Sequence, residues 1–442
     1  MTPSPYHGPS VHGYDTDAPL RRAAGIVVHT SPLAALGGKD AGGMNVYVRE
    51  LACHVARLGI PVDLFTRRTV PNTPEVIDLC PGVRVVSITA GPPAPLSKNE
   101  LFPYLPEFAE QMAVFSLRDG ARYDVVHAHY WLSGWVAHLL RRYWETPFVQ
   151  MFHTTAHMKN AVAATKNRES DQRLQVERRL LGLADSVIAA NPDERADLIW
   201  RQGAPAQRVC TVPPGVDLNL FHPRDGRPMR DELGIASNIP VVLFVGRVDP
   251  IKGIETLLDA TRLLVDDERF AVKPLLLFVG GDLNDAGEPE DALADVVSQA
   301  TALGIADQVR FLGSRPQEDL SALYAAADVV AVPSRYESFG LVAVEAMACG
   351  TPVVASRVGG LTFTVEEESS GLLVPMGSAP ALAQGLARVL LDDDLRSRMA
   401  VQSRVAAERF GWPTVAGAII HVYERLAAGQ RANLCCDEEI YA

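Results

Sequence analysis

Two acidic residues, Glu337 and Glu345, enclose the segment with the most specific chemical pattern in the chain. They follow an apolar run that ends near Ser334, so we expect Glu337 on a strand-to-helix loop and Glu345 on the second turn of a helix that begins around Gly340. Loop amide groups and a helix N-terminus attract a bound anion. Two carboxylates beside them could hold hydroxyl groups of a sugar and of a ribose, although each acid alone is better explained as a solvated surface charge.

Two cations follow another apolar run. Gly246 and Arg247 lie at its end, and Lys252 and Gly253 lie where the next helix is expected to begin. If both cations face the same cleft, they offset the charge of a diphosphate. Taken alone, Lys252 is equally well explained as an exposed lysine at a helix start.

A glycine-rich stretch, Gly37–Gly43, leads from the first predicted strand into a helix that carries Asn45. The stretch matches neither the dinucleotide fingerprint nor the P-loop, so a simple turn and a phosphate cradle both remain open. In addition, His153 and Thr154 end a further apolar run, at the side of the sheet where ligands bind.

Alternating strands and helices position these residues, and the alternation predicts two tandem parallel sheets. We expect strands at 25–29, 60–66, 83–88, 124–129, 148–153 and 186–190 in the first half, and at 241–245, 275–279, 309–312, 329–332 and 352–355 in the second. The predicted fold class is α/β, with two Rossmann-like domains that face a central cleft.

Composition shifts and turn signals divide the chain further. We expect a disordered tail at 1–22, an N-terminal Rossmann-like domain at 23–215 and a C-terminal one at 216–411. A helix at 412–430 could cross back to the N-terminal domain, and 431–442 forms an acidic tail.

Bulk composition limits the class of protein. The 442 residues carry 41 Lys and Arg against 53 Asp and Glu, and the net charge of −12 argues against nucleic acid as a partner. Apolar runs stay far below the ~20 residues that span a bilayer, and the start of the chain lacks a secretory signal, so we expect a cytoplasmic protein without a transmembrane segment. The six cysteines suggest neither a metal site nor a disulfide framework, and Cys435 and Cys436 are expected to be exposed tail thiols.

Together, these motifs resemble the family 4 retaining glycosyltransferases, which have the GT-B architecture, over nearly the whole chain from about Gly25. The resemblance implies that Glu345 binds the ribose of a nucleotide-sugar donor, and that Glu337 binds its sugar. Arg247 and Lys252 would bind the diphosphate, and His153 matches a histidine near the reacting carbon. The implied catalytic residues are His153, Arg247, Lys252 and Glu337; the other implied donor contacts are Gly42, Gly43, Ser338, Phe339, Gly340 and Leu341.

A narrower resemblance concerns the acceptor. Segments 40–47, 96–98, 129–134 and 152–154 are similar to members of the family that glycosylate an inositol phosphate, whereas 153–157 and 249–253 depart from their pattern. The similarity implies that the acceptor and its phosphate are held by Asn45, Lys98, Tyr130, Thr154 and Arg173. Sucrose-phosphate synthases share much of the chain, so glucose transfer to fructose 6-phosphate remains an alternative.

The expected reaction is retaining transfer of a hexose or N-acetylhexosamine from a nucleotide diphosphate sugar, with UDP preferred, to a small phosphorylated acceptor. We expect no metal site and no cofactor besides the donor, because Arg247, Lys252 and the amides of Gly42 and Gly43 can stabilise the leaving diphosphate. The enzyme could be a homodimer. Of the rival classes, a nucleotide-sugar epimerase would need a dinucleotide fingerprint and a Tyr-x-x-x-Lys pair, which the chain lacks, while a non-catalytic nucleotide-sugar binding protein stays open.

Overall fold

The computed structural model describes residues 20–34, 43–162, 168–284, 287–430 and 434–435. The tail expected at 1–22, most of that at 431–442 and the glycine stretch up to Gly42 therefore lie largely outside the described residues. Within the described residues, the chain forms two sheets in succession, each covered by helices. The predicted α/β class with two Rossmann-like domains is confirmed.

The first sheet has eight strands in the order β3-β4-β2-β1-β5-β6-β7-β8, parallel except for β3. The strands are β1 Ala23–Val27, β2 Val62–Arg67, β3 Val76–Cys80, β4 Val83–Ile88, β5 Val125–His129, β6 Phe148–Met151, β7 Ser186–Ala189 and β8 Val209–Thr211. Its helices are α1 Gly43–Arg57, α2 Leu105–Asp119, α3 Tyr130–Leu140, α4 Ala156–Val162, α5 Asp171–Leu183 and α6 Pro192–Ala196. Two large buried apolar clusters lie on the faces of this sheet, as expected for helices packed on both sides.

The second sheet has six parallel strands in the order β11-β10-β9-β12-β13-β14. They are β9 Val241–Val245, β10 Leu275–Val279, β11 Val309–Gly313, β12 Val329–Val332, β13 Val353–Ser356 and β14 Gly371–Val374. The helices of the second half are α7 Arg227–Glu232, α8 Ile254–Asp266, α9 Asp291–Ala302, α10 Gln317–Ala326, α11 Leu341–Ala348, α12 Leu361–Thr364, α13 Ala379–Leu391, α14 Asp393–Glu408 and α15 Trp412–Ala427.

Several strands differ from the sequence prediction. The strand expected at 25–29 is found two residues earlier, at Ala23–Val27, and three further strands were not predicted: β3, β8 and β14. β3 is a partly exposed edge strand, which lacks the apolar run of a central strand. β8 has three residues and β14 begins with Gly371, so neither has a strong strand signal.

The last helix, α15, packs against α1 of the first half. The Trp412 and Tyr47 rings are 5.6 Å apart, and the Tyr423 hydroxyl lies 2.7 Å from Nδ1 of His127. The chain thus crosses between the two halves twice, once near Val216 and once near Gly411, and the two crossing segments are hydrogen-bonded to each other. Val216 N–H donates to the carbonyl of Phe410 at 2.8 Å.

The expectation that the chain has no disulfide framework, and that Cys435 is an exposed thiol, is wrong. Disulfides join Cys53 of α1 to Cys80 of β3, and Cys210 of β8 to Cys435. Sequence spacing could not show this, because the partners are brought together only by the packing of α1 on the sheet and by the return of the chain after α15. Leu434 is fully buried, so its neighbour Cys435 is not part of an exposed tail, while Cys436 lies outside the described residues.

None of the helices in the described ranges is long and apolar enough to cross a membrane.

Candidate active site

The strand order reverses once in each sheet, and the candidate residues follow the strands at those points. In the second sheet β9 and β12 are neighbours, and their loops lead to Lys252 and to Glu337. In the first sheet β1 and β5 are neighbours, and β5 is followed directly by Tyr130. Ligands of doubly wound sheets bind at such switch points, beyond the carboxyl ends of the strands.

The loop after β12, residues 337–340, leads into α11 as the sequence predicts. Gly340 is the N-cap of α11 with φ +93°, a conformation in which a side chain is strained. A Cβ there would also lie 2.6 Å from Leu361. The loop is supported from behind by Gly360, whose N–H donates to the Glu337 carbonyl at 2.9 Å. We call residues 337–340 the donor loop, because the resemblance implies that they contact the donor.

The two cations differ in their surroundings. Lys252 Nζ lies 2.6 Å from Glu337 Oε2, and both side chains are largely buried, with exposed fractions of 22% and 18%. Gly253 follows Lys252 with φ +70° and approaches the Pro333 carbonyl so closely that a Cβ has no room. Arg247 is exposed, and its guanidinium is 3.7 Å from Asp249. The structure thus brings Lys252 and Glu337 into direct contact and leaves Arg247 open to an anion.

Glu345 lies on α11 and is buried. Its carboxylate accepts a hydrogen bond of 2.8 Å from the Tyr324 hydroxyl and a longer one of 3.5 Å from the Gln317 amide. Burial raises the pKa of Glu345 to about 7, and these two hydrogen bonds only partly oppose the effect. Tyr324, which the sequence analysis missed, is the principal partner of this carboxyl group.

The two halves meet at the donor loop. The Ser338 hydroxyl donates to the His153 carbonyl at 3.0 Å and lies 3.1 Å from Thr154 Oγ1. A Cβ on Gly43, the first residue of α1, would lie 2.9 Å from Leu341, the first residue of α11. The N-termini of two helices from different domains therefore face the same place, and both favour negative charge there. Gly42 lies outside the described residues.

His153 has the unusual backbone angle φ +59°, which is strained for a side chain of this size. Its Nε2 lies 3.1 Å from Nδ1 of His129, and the edge of the Tyr47 ring packs against it. Burial lowers the pKa of His153 to about 3 and that of His129 well below its ordinary value. Both rings are therefore neutral at physiological pH. His129 was given no role in the site from the sequence, although its Nδ1 directly contacts a predicted catalytic side chain.

Tyr130 is the centre of the predicted acceptor residues. It has φ +76°, and its ring lies 4.7 Å from the Arg173 guanidinium and 5.8 Å from Lys98 Nζ. Lys98 is exposed, whereas Arg173 is 1% exposed. The Arg173 guanidinium donates to Glu177 and to the Thr154 carbonyl, both at 2.6 Å. Arg173 therefore lies behind Tyr130 and Thr154 and supports them, rather than reaching into the cleft.

Asn45 is buried on the first turn of α1. Its amide donates to Thr30 Oγ1 at 2.9 Å and to the Ser31 carbonyl at 2.8 Å. Asn45 Oδ1 and His29 Nδ1 are buried without a hydrogen-bond partner among the residues that the structure describes. Orphaned buried polar atoms are uncommon, and two of them close to a cleft fit a polar ligand.

No group of three or more His, Cys, Asp or Glu side chains within the described ranges could hold an ion. The one Asp-x-Asp triplet in these ranges, Asp392–Asp394, begins α14 instead. Asp392 caps the helix by accepting from Leu395 N–H at 2.8 Å, and Asp393 pairs with Arg396 at 2.6 Å.

Two family patterns match the chain in the order of its two sheets. Residues 41–220 match Glycosyltransferase Family 4, and residues 226–405 match Glycosyl transferases group 1. The D-inositol 3-phosphate glycosyltransferase of Corynebacterium jeikeium is 43% identical over 417 residues, which cover 93% of this chain and 99% of the relative. That of Saccharomonospora viridis is 41% identical over 427 residues, which cover 96% and 98%.

Solved structures agree with this assignment. Sucrose-phosphate synthase from Thermosynechococcus elongatus is 38% identical with a TM-score of 0.83, covering 93% of this chain and 100% of that one. Anabaena HepE in complex with UDP and glucose is 25% identical with a TM-score of 0.69, covering 92% and 100%. The chain therefore belongs to the family 4 and group 1 glycosyltransferases, and it is a glycosyltransferase enzyme of GT-B architecture.

Proposed function

We propose that the enzyme moves a sugar from a UDP-sugar, with retention of configuration and without a metal ion, to a small phosphorylated acceptor. The observation that carries the proposal is the contact of Ser338 with His153 and Thr154 at 3.0 and 3.1 Å. It brings the donor loop of one domain to the strand ends of the other. A sugar held by the donor loop would then lie beside an acceptor held by the first domain.

The donor site would extend from Glu345 to Glu337. Glu345 would bind the ribose hydroxyls and Glu337 a hydroxyl of the sugar, while Lys252, Arg247 and the amide groups of the donor loop would bind the diphosphate. UDP is supported by the Anabaena HepE structures, which are complexes with UDP and with UDP-glucose. The Lys252–Glu337 ion pair supports this arrangement, because a sugar bound by Glu337 would then have a cation beside the bond to the leaving phosphate.

The acceptor site would surround Tyr130. Lys98 would bind the acceptor phosphate, with Tyr130 and Thr154 as neutral hydrogen-bonding groups and Arg173 as their support. The unpartnered Asn45 Oδ1 could accept a hydrogen bond from an acceptor hydroxyl. An inositol phosphate is favoured because the curated relatives are named D-inositol 3-phosphate glycosyltransferases.

In the proposed reaction, an acceptor hydroxyl attacks the anomeric carbon on the face from which the diphosphate leaves. The carbon–oxygen bond to the phosphate breaks, the bond to the acceptor oxygen forms, and the leaving phosphate oxygen takes the acceptor proton. Lys252, Arg247 and the N-termini of α1 and α11 would stabilise the negative charge on the diphosphate, a contribution of several kcal/mol in comparable sites. Neutral His153 would contact the sugar near the reacting carbon without adding a positive charge there.

A second acceptor is supported by one specific observation. Sucrose-phosphate synthase matches the whole fold at 38% identity, so glucose transfer to fructose 6-phosphate is the alternative reaction. Both acceptors are phosphorylated sugars or cyclitols, and both would use the same cation, Lys98.

A substrate panel with product analysis tests the proposal. UDP-, GDP- and ADP-sugars are combined with D-inositol 3-phosphate or fructose 6-phosphate, with and without EDTA, and the product mass and anomeric configuration are determined. We expect a UDP-sugar and an α-linked phosphorylated product, with no effect of EDTA. Glu337→Ala should remove most turnover. Wild-type activity in that variant, or an inverted product, would refute the proposed mechanism.

A further inference from the structure

Asn191, which follows β7, links the two domains through both ends of its amide group. It is 2% exposed and is the N-cap of α6. Its Oδ1 accepts a hydrogen bond from Glu194 N–H at 2.8 Å, within its own domain. Its Nδ2 donates to the Ser338 carbonyl of the donor loop at 2.5 Å, in the other domain. One side chain therefore caps the N-terminus of a helix in the first domain and binds a peptide carbonyl of the second domain.

The held peptide group belongs to the donor loop. Because a peptide bond is planar and trans, fixing the Ser338 carbonyl also fixes the direction of the Phe339 N–H, one of the amide groups proposed to meet the diphosphate. The Ser338 side chain is bound by the first domain as well, through His153 and Thr154. Gly360 holds the preceding carbonyl, that of Glu337, from within the second domain.

We infer that Asn191 is a positioning residue for sugar transfer: it aligns the Ser338–Phe339 peptide of the donor loop against the acceptor domain. The inference rests on the proposed function of the donor loop. Asn191 need not touch either substrate, because it acts through the Ser338 carbonyl. Its loss should therefore lower turnover and donor use while leaving the fold intact.

Asn191→Asp separates positioning from capping. Aspartate caps a helix as well as asparagine does, so the unfolding temperature should remain close to that of the wild type at pH 6 and fall at pH 8, where the buried carboxyl group carries a charge. The ionised carboxylate cannot donate to the Ser338 carbonyl and faces it with like charge. We expect kcat/KM for the donor to fall at least about tenfold at pH 8, since a buried acceptor loses its hydrogen bond.

The pH dependence of this variant gives a readout that a purely structural role would not change. Burial raises the pKa of a carboxyl group, and the protonated form can donate again. Burial also raises the pKa of the neighbouring Glu194 to about 7, but Glu194 is present in both proteins, so the ratio of the two activities is the readout. The activity of Asn191→Asp relative to the wild type should therefore rise as the pH falls from 8 to 6. Asn191→Ser, which can cap but is too short to reach Ser338, should show the same loss without recovery at low pH.

Thr362→Val is the matched control. Its hydroxyl makes another hydrogen bond between the same two domains, to Asp193 at 3.2 Å, but it is exposed. We expect wild-type turnover for Thr362→Val. The inference would be overturned if Asn191→Asp had wild-type turnover at pH 8, or if Thr362→Val lost as much turnover as Asn191→Asp. It would also be overturned if the turnover lost by Asn191→Asp were the same at all pH values, or were explained by the fraction of protein that is folded. If Glu337→Ala is inactive while both Asn191 variants are normal, only this inference fails, and the proposed function stands.

Discussion

Glu345→Gln should make the enzyme more stable at high pH while weakening donor binding. The Glu345 carboxyl group is buried, and its pKa is raised from an ordinary value near 4.5 to about 7. Between these two values the folded state binds a proton that the unfolded state has lost, so the free energy of unfolding falls as the pH rises. The shift in pKa corresponds to a contribution of about 3 kcal/mol to the free energy of unfolding, which is present below pH 4.5 and lost above pH 7.

A glutamine has the shape of the protonated acid and can still accept the Tyr324 hydrogen bond, but it does not ionise. Urea unfolding at pH 5 and pH 8 measures the difference between the variant and the wild type. We expect a small difference at pH 5 and a stabilisation that approaches about 3 kcal/mol at pH 8. Titration with UDP should show affinity at least about tenfold weaker at pH 8, since the charged acceptor for the ribose is lost. Equal stability differences at both pH values would refute the reasoning.

Three further changes test other contacts of the site. Lys252→Gln should raise the donor KM at least about tenfold by leaving Glu337 without its ion pair, whereas Arg335→Gln, which breaks an exposed ion pair, should leave KM unchanged in the same steady-state assay. Gly43→Val should lower kcat/KM, because its Cβ would lie 2.9 Å from Leu341 Cδ1 and its two methyl groups would take up space between the facing helix ends; unchanged kinetics would contradict this reasoning. Cys435→Ser should lower the free energy of unfolding by about 2–4 kcal/mol in oxidising buffer and by little after reduction, as measured by thermal unfolding with and without reductant.

The sequence predicts the fold well because most central strands are short, continuous apolar runs. The runs at 83–88, 241–245, 275–279 and 329–332 coincide with observed strands. The start of α11 could also be predicted from the sequence, since Gly340 marks a position that needs a positive φ. Edge strands such as β3 carry a weaker signal, because their side chains are partly exposed.

The supporting residues of the site were harder to predict. Tyr324 and Asn191 lie far along the chain from the groups that they hold, Glu345 and Ser338, and no local spacing indicates such contacts. The position of His129 could have been predicted in part, since alternate residues of a strand share a face. The rings of His127 and His129 are indeed 4.2 Å apart. Its contact with His153 depends on the parallel pairing of β5 with β6, which brings the ends of the two strands together.

The return of α15 makes the second domain an insertion within the first. Val216 and Gly411 are bridged at the base of that insertion, so the inserted part enters and leaves at one point. During synthesis, the second sheet can fold before the ribosome has released α15, whereas the core around Tyr47 and His127 stays open until Trp412 and Tyr423 arrive. A premature stop codon before α15 would therefore damage the part of the protein that was made first.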